Sequence, residues 1–346
     1  MKNNINQEDI TEQILNLFKE RGRKAQELTR KAVLEDNINS KEAKEALKYF
    51  ITEGWNNNTR PALLSLACEA VGGDPDIIIP IATSMNLIVG CIRIHDDIID
   101  QTENKGERPT VLGKFGKDIA LLVGDALLFK GFNVLYKAVE KGFPAEQIAI
   151  ISDIIQRTFF ELGDAVALEL QFRGRMDVTP EDYLSVLRKK AADFEACTRI
   201  GAIVGGGSKE EIESLGEYGR LLGMVMILRD DMIDMLDPEE IIHRITKENL
   251  SLVTLYALQN PELHSIISDL LKKTVTENDA EKLSEIVDQA GGFVLIDKYM
   301  QELVKDASNK IDETMSNEMV LNMIINGMLL PEWKSYLRSS PSISDR

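Results

Sequence analysis

The stretch IIIPIATSMNLIVGCIRIHDDIID, residues 77–100, decides the fold. From Ile77 to Ile92 it carries no charge, yet that run is too short to cross a bilayer, and Pro80 sits where the first turn of a helix tolerates a missing N–H. It reads as a buried core helix that ends in a cluster of acids. The same helical spacing of apolar residues runs outward in both directions. It covers Ile10 to Phe18, Lys41 to Ile51, Pro61 to Val71, Lys117 to Val139, Ala145 to Phe172, Pro180 to Val204 and Ser208 to Met235. It continues through Leu250 to Leu258, Leu263 to Thr276, Ala280 to Ala290, Phe293 to Met315 and Asn317 to Leu330. Helix signals agree: Thr179-Pro180-Glu181 supplies a cap, a first-turn proline and an early acid, and Gly72-Gly73 and Gly205-Gly206-Gly207 close the preceding segments. Ten prolines and 23 glycines in 346 residues are too few for many short turn-linked strands. The expectation is all-α, one large helical bundle, with 1–40 as an N-terminal helical extension, 41–335 as the main domain and 336–346 as a polar tail.

Composition narrows the function. The chain carries 57 acidic and 40 basic residues, a formal charge of −17, and no Lys/Arg-rich stripe with interleaved aromatics, which excludes nucleic acid as an expected partner. Cys68, Cys91 and Cys197 lie in apolar segments without metal-ligand spacing and read as buried thiols of a reducing compartment. The start, MKNNINQEDI, lacks the basic-then-apolar order of a signal peptide, so a cytoplasmic protein without a stable membrane anchor is expected.

One motif occurs twice: Asp96-Asp97-Ile98-Ile99-Asp100 after His95, and Asp230-Asp231-Met232-Ile233-Asp234 after Arg229. Residues i and i+4 share a helix face, so Asp96 stands beside Asp100 and Asp230 beside Asp234, with Asp97 and Asp231 flanking them. Like charges one turn apart, set among Ile, Leu and Met, demand a cation. His95, His243 and His264 make no ligand set, and His95 reads as a packing group rather than an acid–base catalyst. Oxygen-only donors select Mg²⁺ over softer metals, and Mg²⁺ takes few carboxylates together with waters and substrate phosphates. A magnesium-bridged diphosphate is the expected ligand.

With these motifs the chain resembles the trans-isoprenyl diphosphate synthases, the polyprenyl synthetase family of class I isoprenoid synthases, over roughly residues 40–330. Arg60-Pro61, Arg108-Pro109-Thr110, Phe115-Gly116-Lys117, Gly124-Asp125-Ala126-Leu127-Leu128, the Tyr183-to-Lys190 helix and Lys247 support the resemblance. It implies a helical bundle with a central prenyl cavity, the two aspartate helices facing each other at its mouth, three Mg²⁺, and a homodimer. It further implies diphosphate contacts from Lys105, Arg108, Lys247 and one of Lys189 and Lys190. Cys91 and Ile92, five and four residues before Asp96, stand where shorter-chain members often carry aromatic plugs, so an allylic tail of farnesyl or geranylgeranyl length is expected, with Ile227 as a further contact.

The sequence departs from the family in the pocket for isopentenyl diphosphate. The Gly-Lys-Arg positions read Asn56-Asn57-Asn58, the His position reads Val89, and the Arg-Arg-Gly positions read Lys105-Gly106-Glu107. Charge-assisted hydrogen bonds to phosphate contribute about 1.5–3 kcal/mol each, so three losses weaken binding by on the order of 10³-fold. The leading expectation is therefore a terpene synthase on a prenyl-synthase framework. The alternative is a chain-elongating prenyltransferase whose second pocket draws on Arg60, Arg93, Lys105 and Arg108; a non-catalytic partner subunit is the third reading, disfavoured because all six aspartates are kept.

Overall fold

The computed structural model describes residues 7–35, 38–55, 57–273 and 276–329. Within them the chain runs α1 (Gln7–Leu34), α2 (Lys41–Tyr49), a π-helical turn (Phe50–Gly54), α3 (Thr59–Ala70), α4 (Ile79–Ile99) and a ribbon of two short antiparallel strands, β1 (Asn104–Lys105) and β2 (Arg108–Pro109). There follow α5 (Val111–Phe115), α6 (Lys117–Lys137), a 3₁₀ turn (Val139–Lys141), α7 (Ala145–Phe172), α8 (Pro180–Lys190), α9 (Ala192–Gly205) and α10 (Lys209–Asp234). The chain then forms α11 (Pro238–Lys247), α12 (Leu252–Leu258), α13 (His264–Leu271), α14 (Glu277–Gln289), α15 (Gly292–Ser308) and α16 (Glu318–Asn326). The fold is all-α.

Local chemistry explains most boundaries. Thr179 caps α8 through a reciprocal bond with Asp182, Ser208 does the same for α10 with Glu211, and Gly206 ends α9 at φ 82°, a left-handed backbone that glycine adopts without strain. Several elements differ from the expectation: α1 continues past Phe18 to Leu34, α13 stops at Leu271 and α15 stops at Ser308. The segment Pro180 to Val204 breaks at Ala191, whose ψ of 4° leaves the helical region. A helix forms over 238–247, where no periodicity was read, because Asp237 accepts from the Glu239 N–H and Pro238 occupies the first turn. Of the C-terminal expectations, Leu330 and the tail at 336–346 lie outside the described residues.

The core is built by α3, α9 and α10 in succession, with α4 packed between α3 and α6. Backbones approach closely: a Cβ on Gly201 of α9 would stand 2.4 Å from the Leu64 carbonyl of α3. α1 is no detached extension, since Ile14, Phe18 and Ala25 are buried in the same core as α3 and α10. Asn86 of α4, fully buried, donates to Gln26 at 2.5 Å and to Thr29 at 3.2 Å, so α1 also satisfies a core polar group. A second apolar cluster joins α2, α4 and α6 around Leu47, Phe50, Leu87, Cys91 and Leu127.

Candidate active site

Both acid motifs lie at the C-terminal ends of their helices, α4 and α10. The helix dipole is negative there, so it disfavours the carboxylates and adds to the need for cations. The two ends open into one cavity of about 780 Å³. Its wall carries twelve carboxylates, the six motif aspartates with Glu103, Glu169, Asp193, Glu239, Glu240 and Glu248, against six strong bases, Arg60, Arg93, Lys105, Lys190, Arg244 and Lys247. The apolar part includes Trp55, Val89, Ile92, Leu162, Val166, Phe194 and Ile227.

The first motif draws partners from several elements. Arg93 lies 3.6 Å from Asp96 and 3.9 Å from Asp97, Lys105 of β1 is 2.8 Å from Asp97, and Arg173 at the end of α7 reaches Asp100 at 2.7 Å. In the second motif Asp231 and Asp234 share one cation. Arg244 of α11 contacts Asp231 at 2.6 Å and Asp234 at 2.7 Å through Nη2, and Asp234 again through Nε at 3.0 Å. The Tyr183 hydroxyl of α8 donates to the other oxygen of Asp231. Between the motifs, Lys190 pairs with Glu169 of α7 at 2.9 Å.

Burial and repulsion set the protonation of these groups. Burial pushes the Asp100 pKa up to about 7, helped by Asp96 and Glu248. Burial likewise raises Asp97 and Asp234 against the pull of Lys105 and Arg244, respectively, and raises Glu169 against Lys190. Burial opposes the charge on Lys190, yet Glu169, Asp96 and Asp100 outweigh it and raise its pKa. Tyr183 is held neutral well above its ordinary value by burial and by the charge of Asp231. The site as a whole is an excess of carboxylate awaiting positive charge.

The Polyprenyl synthetase family model matches residues 8–289. The chain belongs to the polyprenyl synthetase family. Family membership makes it an enzyme of isoprenoid biosynthesis, with the all-helical fold of that family. It is 30% identical over 274 residues to the geranylgeranyl diphosphate synthase of Methanosarcina mazei, covering 78% of this chain and 82% of the relative. It is 32% identical over 253 residues to a short chain isoprenyl diphosphate synthase of Methanothermobacter thermautotrophicus, covering 71% and 76%. The crystal structure of geranylgeranyl pyrophosphate synthetase from Pyrococcus horikoshii shares the fold, with a TM-score of 0.81 at 24% identity over 93% of this chain and 99% of that one.

Of the residues singled out from the sequence, the structure brings the six aspartates, Lys105, Lys190, Lys247, Ile92 and Ile227 to this cavity. It places three elsewhere. Arg108 turns outward and donates to the Glu53 carbonyl at 2.8 Å, Lys189 pairs with Asp164 on the outer surface, and Cys91 is buried among the side chains between α4 and α6. The i and i+1 positions of a helix diverge by about 100°, so only one of each neighbouring pair, Lys190 and Ile92, can face inward. Of the Asn56-Asn57-Asn58 run, Asn57 lines the cavity, Asn58 precedes α3 outside the lining, and Asn56 lies outside the described residues. His95 faces α6, its Nδ1 3.7 Å from the Cys91 sulfur and its Nε2 3.5 Å from Asp125, a packing position away from the cavity. Sequence reasoning missed Arg244, Glu169, Arg173 and Trp55. Two local signals could have drawn attention to α11 and its arginine: the helix cap at Asp237-Pro238 and the helical spacing of Ile241, Ile242 and Ile245.

Proposed function

We propose that this protein is a Mg²⁺-dependent prenyltransferase of the chain-elongating kind, joining an allylic prenyl diphosphate of farnesyl or geranylgeranyl length to isopentenyl diphosphate. The observation that carries the reading is the excess of twelve carboxylates over six strong bases around one cavity that ends in an apolar wall. A bare diphosphate would be repelled there; one arriving with divalent cations is attracted. Among the described residues no group of three or more acids, histidines or cysteines is arranged to hold a metal ion by itself, so an ion here would need diphosphate oxygens to complete its shell. Asp96, Asp97 and Asp100 on one wall and Asp230, Asp231 and Asp234 on the other would hold it; three ions is the number the resemblance implies. Bound there, Mg²⁺ would supply electrostatic stabilisation of the leaving diphosphate.

The chain's own residues do the rest. Lys190 and Lys247 offer charged donors to the leaving group as the allylic C–O bond breaks with its electron pair on oxygen. The isopentenyl double bond then attacks the allylic carbon, and the resulting carbocation gives a proton to the departed diphosphate, which leaves a new C=C bond in the elongated prenyl diphosphate. Ile92, Leu162, Val166, Phe194 and Ile227 surround the cation with apolar surface and exclude water.

The names of the two archaeal relatives favour elongation over the terpene-synthase expectation. So does the presence of Arg60, Arg93 and Lys105 in the lining of the same cavity as Asn57 and Gly106, each now paired with an aspartate that a cation could release. A second reading, ionisation without condensation, keeps the support of Asn57, Val89 and Gly106, since Arg60 is engaged by Asp193 at 3.0 Å and stacked over Phe194. Incubation of purified protein with Mg²⁺ and farnesyl or geranylgeranyl diphosphate, with and without isopentenyl diphosphate, decides between them. Elongation predicts a longer diphosphate only in the paired reaction; hydrocarbon or alcohol released without isopentenyl diphosphate would establish the second reading.

We also infer a homodimer. Leu122, Phe129 and Tyr136, seven residues apart on one face of α6, are 61%, 75% and 59% exposed, and Phe160 of α7 is 73% exposed. The segment Lys117–Lys141 is long and apolar enough to cross a membrane by composition alone, but a second copy covering this stripe accounts for it in a soluble, cytoplasmic enzyme. Phe129→Glu should convert the dimer to a monomer in sedimentation velocity; an unchanged dimer would place the interface elsewhere.

A further inference from the structure

We propose that Arg244 is a positioning residue, a built-in counter-ion that holds Asp231 and Asp234 in the substrate-free protein and releases them when a metal diphosphate arrives, with α11 as the strap that carries it. The inference rests on the reading of the cavity as a metal-diphosphate site. Three of the four carboxylate oxygens of Asp231 and Asp234 are engaged. Asp231 gives one oxygen to Arg244 at 2.6 Å and the other to the Tyr183 hydroxyl, and Asp234 meets the same guanidinium through Oδ2 alone, at 2.7 and 3.0 Å. A divalent ion that takes Asp231, or both oxygens of Asp234, therefore competes with the arginine for them.

The arginine stands on an element fixed at both ends. Asp237 and Pro238 start α11 directly after the second motif. At its far end Lys247 donates to Gln101 at 3.2 Å, and Gln101, at φ 58°, follows the first motif. His243 lies 3.1 Å from Glu248 and 3.5 Å from the Thr102 hydroxyl of the same loop. The strap thus spans the mouth from one motif to the other, and its arginine acts where the first motif uses cations from three separate elements. A counter-ion of this kind holds the two carboxylates in place before the ligand arrives, at the expense of affinity for free metal.

The test measures Mn²⁺, as a probe for the divalent site, by the electron paramagnetic resonance signal of the free ion, on the full chain without substrate. R244Q is expected to bind Mn²⁺ at least tenfold more tightly than the native protein. R244K, whose single ammonium cannot fork between the two acids, is expected to bind about threefold more tightly, and it decides the matter if circular dichroism shows that R244Q does not fold. Mn²⁺ binding that is unchanged or weaker in the folded variants overturns the proposal, since a purely structural clamp would loosen the acids on removal and weaken the site. The readout needs no turnover. Tighter Mn²⁺ binding in a protein that turns over no prenyl diphosphate overturns the proposed function alone, whereas unchanged binding in an active protein overturns the counter-ion alone.

Discussion

The two aspartate motifs share a sequence pattern and differ in what surrounds them. At the end of α4, Asp96, Asp97 and Asp100 meet Arg93 from their own helix, Lys105 from the ribbon and Arg173 from α7, with Arg93 shared by Asp96 and Asp97. At the end of α10, Asp231 and Asp234 share one arginine, and Asp231 is 1% exposed. The first motif is a distributed, adjustable cluster; the second is a closed pair whose integrity depends on a single guanidinium. Identical spacing therefore prescribes which carboxylates share a face, and not how tightly they are held.

The sharpest way to break this comparison is to delete an acid from each side. Asp96→Ala and Asp230→Ala should each abolish turnover with helical circular dichroism nearly intact; more than about a tenth of native activity, a loss of roughly 1.4 kcal/mol or less, in both would remove the motifs from the mechanism. Asp231→Ala should lose turnover and also about 1–3 kcal/mol of stability in denaturant unfolding, because it leaves the buried Arg244 with Asp234 alone and the Tyr183 hydroxyl without its acceptor. Equal stability of the Asp97 and Asp231 deletions would erase the distinction between an adjustable and a closed motif.

A smaller effect is expected between the motifs. Lys190→Ala should lower kcat/KM at least tenfold, while Lys189→Ala, on the outer surface with Asp164, should stay within about twofold. A reversed pattern would mean that the register of α8 differs in the working enzyme. The apolar approach to each motif gives the next test. Ile92→Phe and Ile227→Phe should both shift preference toward shorter allylic tails in competition assays, whereas Cys91→Phe should leave selectivity alone and cost about 1–3 kcal/mol by overpacking the α4–α6 seam. Selectivity changed by Cys91→Phe would put the tail on the other side of α4.

The smallest effect concerns the latch near α11. The Glu248 carboxylate raises the His243 pKa, and burial of Glu248 is outweighed by His243 and Arg244, which bring its pKa down to about 2. The histidine's contribution is fully present below its unfolded pKa of about 6.5 and is lost as pH rises through its raised folded value; the glutamate's is present above about 4.5 and is lost as pH falls toward 2. The latch is therefore firmest between about pH 4.5 and 6.5. His243→Gln should lower Tm by about 1–2 °C at pH 6 and by less at pH 8.5. An equal shift at both values would show that His243 contributes packing and no charge.

The all-α class, the bundle, the cap at Thr179 and the grouping of aspartates within each motif were legible in the sequence, because helical periodicity and the i, i+4 relation are properties of a single element and need no partner. What only the tertiary structure decided was partnership. Lys189 and Lys190 are equivalent as local sequence, yet one faces Asp164 in solvent and the other Glu169 in the cavity. Cys91 and Ile92 are both apolar, and the packing of α6 against α4 chose which of them the substrate side keeps. Arg244 follows the motif it neutralises by ten residues, on a short helix whose Ile241, Ile242 and Ile245 pack into the core, and only the turn at Asp237-Pro238 brings it back over the acids. Charge–charge energy depends on distance and burial, both set by how elements meet, so a sequence can announce that a carboxylate needs a cation without stating which one answers.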